Sequence, residues 1–206
     1  MGFYDDWVLP RFMNLLMGNE ATTKERKKAL ARVSGVVLEV GFGSGRNLPF
    51  YPPDVRRVVA VDPSRESARL AKKRIEEAPF PVEYVPLGGE AIEAPDHSFD
   101  SVVSTFTLCT IPDPAAALAQ MRRVLKPGGK LFFAEHGLST DPGVQRWQHR
   151  LNGMQRFMCG GCNMNRDIRR LVGDAGFELD EVDQYYMEGA PKFIGFMTRG
   201  IARAAS

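Results

Sequence analysis

From Val36 to Gly45 the chain reads V-V-L-E-V-G-F-G-S-G, an apolar run that ends on three alternating glycines, Gly41, Gly43 and Gly45. Seventeen positions after the last glycine, a second apolar run, V-V-A-V-D, ends on Asp62. A strand that stops at glycines makes a tight turn with no Cβ atoms between the backbone and a ligand. An acidic side chain at the tip of the next strand is placed to accept hydrogen bonds from ribose hydroxyls. The spacing departs from the dinucleotide pattern G-x-G-x-x-G, because the third glycine comes one residue early and Arg46 holds the last place. Glu39 points the same way. A carboxylate beside the turn repels a pyrophosphate, which wants N–H groups and positive potential. It suits a ligand that carries an ammonium and a sulfonium.

Glu135-His136 closes another apolar run. Histidine is the side chain best matched to proton removal near neutral pH. A purely structural role at a strand end is the competing reading for both residues. Cys159-Gly160-Gly161-Cys162 suggests a metal or redox pair, yet a structural zinc site takes four ligands and there is no second cysteine pair in the chain. The expectation is no metal, with Cys162 in a tight turn that packs or lines a pocket. No nucleophilic triad is apparent.

These residues need a scaffold that brings strand ends together. Short apolar runs at 36–40, 58–61, 82–85, 101–105, 130–135, 177–184 and 193–198 alternate with helical patterns, the signature of parallel βαβ units. Ser64 can cap a helix through Leu70 and Ile75. Ala117, Leu118, Met121, Val124 and Leu125 form an amphipathic stripe, closed by Pro127-Gly128-Gly129. Right-handed crossovers give a doubly wound sheet that binds its ligand at the carboxyl ends of the strands, beside strand one. Ahead of the sheet, Trp7, Val8, Phe12, Leu15, Leu16 and Met17 suggest a short helix with an apolar face. The charged segment from Lys24 to Arg32 reads as a solvated helix face. The segment 137–166 does not fit the alternation and reads as a lid or substrate loop. Within it Trp147, Leu151, Met154 and Met158 have helical spacing, for packing on the core edge or for lining a pocket.

The 206 residues suffice for one domain with a sizeable core. A net charge of +2 gives no argument for nucleic acid, whose binders concentrate basic excess. Three cysteines make no disulfide framework and fit a reducing, cytoplasmic setting. No apolar run reaches membrane-spanning length, and M-G-F-Y-D-D-W lacks the basic start of a secretory signal.

E-V-G-F-G-S-G with V-V-A-V-D-P resembles the first two motifs of class I S-adenosylmethionine-dependent methyltransferases. Gly88-Gly89-Glu90-Ala91, Asp96 to Val103 and Arg123 to Gly129 resemble three later motifs in order. Asn47, Phe50-Tyr51-Pro52-Pro53, Leu108-Cys109, Phe133 to His136 and Gly161-Cys162-Asn163-Met164-Asn165-Arg166 are similar to the alkyl-thiol methyltransferase branch, without the hydrophobic anchor with which that branch begins. The resemblance implies an α/β fold, a doubly wound, mostly parallel seven-stranded Rossmann-like sheet with helical lid segments. It divides one domain, 1–206, into an N-terminal helical lid at 1–33, a cofactor core at 34–136, the lid at 137–166 and a C-terminal helix and strands at 167–206.

It further implies S-adenosylmethionine as cofactor, held by Glu39, Gly41, Gly43, Gly45, Asn47, Asp62, Pro63, Gly89, Glu90, Ala91 and Thr105. His136 and Glu135 become catalytic candidates, and Trp147, Cys162 and Arg166 face the substrate from the lid. The implied reaction moves a methyl group to a small, fairly apolar acceptor, with a thiol in view. A free thiol holds little thiolate at pH 7, so His136 or Arg166 would assist it. N-methylation of a lipid amine, C-methylation of a quinone-like ring, a nicotinamide or flavin oxidoreductase and a non-catalytic cofactor-binding module remain the alternatives.

Overall fold

The computed structural model describes residues 7–205 of the chain. The first six residues, read above as lacking a secretory signal, lie outside the described residues, as does the Leu16 side chain. Seven strands form one sheet: β1 (Gly35–Val40), β2 (Val55–Val61), β3 (Val82–Val85), β4 (Phe99–Thr105), β5 (Leu125–His136), β6 (Phe177–Tyr186) and β7 (Phe196–Ala204). Their order is β3-β2-β1-β4-β5-β7-β6, parallel except for β7, which runs antiparallel to both β5 and β6. The order reverses between β1 and β4, so the crevice for a ligand opens at their carboxyl ends.

The valine-rich strands are buried because helices cover both faces, the expected state of parallel sheets. Leu38 and Val40 of β1 join the core under α4 (Pro114–Val124) and α6 (Ile168–Asp174). Val37 joins the opposite core with Leu30, Leu48 and Tyr51. By the alternation of a strand, Glu39 shares that second face. Five helices start on side-chain caps: Asn19 for α2 (Glu20–Leu30), Ser64 for α3 (Arg65–Glu76), Asp113 for α4, Asp141 for α5 (Pro142–Met158) and Asp167 for α6. Each such cap satisfies a backbone N–H that the first turn leaves without a partner.

The structure corrects four expectations. α4 stops at Val124, and Pro127-Gly128-Gly129 lies inside β5, where the pairing with β4 shifts register instead of ending a helix. The final strand begins at Phe196, because 192–195 forms a one-turn helix, α7 (Lys192–Gly195). Thr198, Arg199 and Arg203 had diluted its apolar signal, and both arginines are neutralised in place, Arg199 by Asp183 and Arg203 by Glu178. Glu25 and Arg26 of the charged segment are buried rather than solvated. Finally, α5 is inverted. Trp147, Met154, Phe157 and Met158 are exposed, while Gln148 is fully buried. The backbone beneath explains it. Gln148 accepts from Ser139 N and donates to Gly137 O, and Asn152 accepts from Met164 N, so amide side chains satisfy loop groups that a leucine could not.

Candidate active site

The glycine turn is built as its spacing suggested, and its glycines serve different ends. Gly41 is in the left-handed region, and the space where a Cβ would stand is filled by the Thr107 side chain. Gly43 has φ +57°, and a Cβ there would meet only Gly41 O, 4.0 Å away. That open space beside bare backbone is what a docked ligand requires. The Gly43 N–H donates to Asp62 Oδ2 at 2.8 Å, and the Ser64 N–H donates to Oδ1 at 2.9 Å. One carboxylate thus ties the turn to the start of α3. Burial raises the Asp62 pKa, while those two N–H groups pull it back.

Beneath the turn lies a buried polar network. Asn47 Nδ2 donates to Glu39 Oε1 (2.8 Å) and to Thr105 Oγ1 (3.0 Å), and Tyr51 donates to Glu39 Oε2 (2.6 Å). Arg26, delivered by α2, donates to Asn47 Oδ1 at 2.9 Å and Thr105 Oγ1 at 2.8 Å. Its guanidinium also sits 5.0 Å from the Phe106 ring centre. Phe106 itself has φ +55°, a strained conformation for an aromatic residue, at the tip of β4. Burial lowers the Arg26 pKa to about 10, with Glu39 pulling it back and Arg46 adding to the drop. Arg26 was not among the residues singled out from the sequence. A signal existed: Thr22, Glu25, Arg26, Ala29 and Leu30 are the buried face of α2, at i, i+3, i+4, i+7 and i+8. Their charges disguised the stripe.

Burial pushes the Glu39 pKa up to about 7, against the pull of Tyr51, Arg26 and Asn47. The native chain therefore holds a proton that the unfolded chain has released. Stability should decline as pH rises from about 4.5 to about 7 and level off above, by about 3 kcal/mol for this group. Thermal melts of Glu39→Gln should show a flatter slope over that window. An unchanged slope would remove Glu39 as its source.

At the carboxyl end of β5, Glu135 and His136 point to opposite faces. Glu135 is fully buried, accepts from Ser104 Oγ (2.8 Å) and Thr107 N (2.7 Å), and so holds the turn after β4. Among the described residues it makes no hydrogen bond to His136, and its contacts are those of the structural reading. His136 Nε2 lies 3.3 Å from Cys162 Sγ, and Cys162 Sγ lies 3.6 Å from Cys109 Sγ. Burial opposes the imidazolium, but Cys162 and Glu135 outweigh it and raise the His136 pKa. Arg166 Nη1 donates to Leu108 O and Ile111 O, so it clamps the 108–111 turn.

The remaining expected residues are placed as follows. Gly89 is buried against Val40, Pro63 and Ala91 are exposed, and Glu90 Oε1 accepts from Asp113 N at 3.3 Å. Gly45 packs on Phe42 and Leu48. Trp147 stands apart from this group, on the exposed face of α5.

A family model described as a methyltransferase domain matches residues 38–133. Thiol S-methyltransferase TMT1B of Rattus norvegicus is 36% identical over 147 residues, 68% of this chain and 59% of that protein. Phosphatidylethanolamine N-methyltransferase of Cereibacter sphaeroides is 34% identical over 179 residues, 84% of this chain and 87% of that protein. A solved SAM-dependent methyltransferase from Aquifex aeolicus superposes with a TM-score of 0.65 at 19% identity, over 94% of this chain and 97% of that one, a likeness of fold. The chain belongs to the class I S-adenosylmethionine-dependent methyltransferases, and it is related to their thiol S-methyltransferase branch. The matched stretch spans about three fifths of the rat relative's length. S-adenosylmethionine is the cofactor of this family, and the open space at Gly43, with Asp62 beside it, fits such a ligand.

Proposed function

We propose that this chain transfers the methyl group of S-adenosylmethionine to a small, fairly apolar thiol. The observation that carries the choice of acceptor is His136, an imidazole at the carboxyl end of β5 already engaged with a sulfur 3.3 Å away. The rat thiol S-methyltransferase relative supports the same choice. The Gly41–Gly45 turn and the 89–91 segment would cradle the cofactor, Asp62 would take its ribose hydroxyls, and Pro63 would lie against its adenine. Glu39, held by Asn47 and Tyr51, would lie beneath the cofactor's ammonium end and, in its ionised form, would favour that cation. When bound, S-adenosylmethionine supplies a methyl carbon already activated by a sulfonium. The chain then has to align the acceptor and keep water out.

We read residues 7–205 as one domain, with α1 (Leu9–Leu16) and α5 as its lids. Phe12 and Leu15 of α1 are exposed, as are Trp147 and Phe157 of α5, and Leu9 touches Gly160 just past the end of α5. Exposed apolar side chains on both segments suit an apolar acceptor. The three free cysteines support a cytoplasmic setting. No helix among the described residues is long and apolar enough to cross a membrane.

A second reading, methylation of a lipid amine, is favoured by the Cereibacter sphaeroides relative, which matches over 84% of this chain. Methyl transfer to an alkyl thiol, a phosphatidylethanolamine dispersion and a quinol should be compared at equal concentration. The thiol should give the largest kcat/KM. Faster turnover of the amine or the quinol would transfer the assignment to that acceptor.

A further inference from the structure

Cys109, His136 and Cys162 come from three separate segments and place their donor atoms within 4.8 Å of one another. A tetrahedral zinc ion, with bonds of about 2.3 Å to sulfur and about 2.0 Å to nitrogen, holds its ligands roughly 3.8 Å apart for two sulfurs and roughly 3.5 Å apart for sulfur and nitrogen. The observed separations are 3.6 Å for the two sulfurs and 3.3 Å for Cys162 Sγ to His136 Nε2. Two of the three separations therefore match those around one ion, and the third pair, Cys109 and His136, lies within 4.8 Å. Their loops are locked together as well. Asn163 N and Nδ2 both donate to Cys109 O, at 2.8 and 3.1 Å, and Arg166 bridges Leu108 O and Ile111 O. Both cysteines are buried and His136 is largely buried beside them, so the donors are shielded from bulk water.

Two thiolates and an imidazole form a soft-to-borderline donor set suited to zinc. Three protein ligands with an open fourth position are the pattern of catalytic rather than structural zinc. The position in the fold agrees. Cys109 lies two residues beyond Thr107, which packs on Gly41, so the cluster stands beside the glycine turn at the ends of β4 and β5.

We propose that Cys109, His136 and Cys162 bind zinc(II), and that the fourth position takes the sulfur of the acceptor thiol. The second half rests on the thiol reading above; the first does not. Coordination releases the acceptor's proton to solvent and leaves a bound thiolate at neutral pH. Its sulfur forms the new S–CH3 bond as the donor's sulfonium–CH3 bond breaks, with that bonding pair staying on the donor sulfur. The neutral thioether is a weak ligand and departs. Cys159, the nearer partner of Cys162 in sequence, has no part in the cluster.

The test is titration of the reduced full chain, under argon, with cobalt(II) and then zinc(II). One equivalent of cobalt should give thiolate-to-metal charge transfer and strong tetrahedral d–d absorption, both erased by zinc. Cys162→Ser and His136→Ala should lose the signal while still binding S-adenosylhomocysteine, and Cys159→Ser should keep it. Ethanethiol should shift the d–d band of the wild-type chain. A wild-type chain that takes up no cobalt, or that is isolated with a Cys109–Cys162 disulfide, overturns the site. A cobalt spectrum unmoved by ethanethiol overturns the role of the fourth position. Metal binding without thiol turnover in the acceptor comparison would leave the site standing and sink the thiol reading alone.

Discussion

Replacing Asp62 with alanine should weaken S-adenosylhomocysteine binding by at least about a hundredfold. The Asp62 carboxylate spends one oxygen on Gly43 N and the other on Ser64 N, and each oxygen keeps a second lone pair for a ribose hydroxyl. Two hydrogen bonds to a charged acceptor contribute roughly 1.5–3 kcal/mol each, and about 1.4 kcal/mol is tenfold in affinity. The loss is compounded because the alanine variant also unties the turn from α3. Asp62→Asn separates the two effects. It keeps one acceptor oxygen but turns an NH2 group toward an N–H donor, so it should bind better than alanine and worse than wild type. Calorimetry with S-adenosylhomocysteine, alongside thermal melts, reads both. An alanine variant with the wild-type dissociation constant would show that the ribose does not sit on Asp62.

The largest effect on stability is expected at Arg26. Arg26→Met keeps most of the volume but removes the cation that faces Asn47, Thr105 and the field of Glu39. Deleting one member of a buried charged network costs about 3–5 kcal/mol, because the partners stay buried without it. For a chain of this size that corresponds to a fall in Tm of roughly 6–20 °C. Part should return in the double variant Arg26→Met with Glu39→Gln, which removes the uncompensated acid as well; a cycle of the four proteins measures the coupling. Arg32 on the same helix makes a contrast. Its ion pair with Glu181 is exposed at both ends, and Arg32→Ala should change little. An Arg26→Met protein as stable as wild type would show that the network holds nothing.

Much of the core was legible in the sequence for a simple reason. β1, β2, β4 and β5 are buried on both faces, so they stand out as runs of valine, leucine and phenylalanine that no helix of comparable length explains. Gly43 and Asp62 were legible because a bare turn and a strand-tip acid recur wherever a ribose-bearing ligand sits on such a sheet. The cluster of Cys109, His136 and Cys162 was not. Its two cysteines are 53 positions apart, and only the docking of the 159–166 turn onto the 106–111 turn brings them together. Cys159, which the spacing favoured, is left out. α5 misled for another reason. Its apolar stripe is real but faces outward, because what lies under the helix is loop backbone in need of donors and acceptors. Arg26 was missed since a charged residue in a charged run looks solvated until its helical period is counted.

The antiparallel seventh strand also bears on the order in which the molecule assembles. β6 precedes β7 in the chain, yet β6 bonds only to β7, and β7 stands between it and β5. β6 therefore has nothing to add to until β7 arrives, whether β7 docks alone or the two arrive as a ready-made pair through α7. The docking of β7 sets Met197 opposite His136 and Thr198 opposite Glu135. A folding intermediate with β1 to β5 in place would already contain the glycine turn and Asp62, but the end of β5 that carries Glu135 and His136, where we propose the acceptor sits, would be unwalled. Pairings so distant in sequence are slow to close. A nascent chain can thus gain the means to hold its methyl donor before it has a place to spend it.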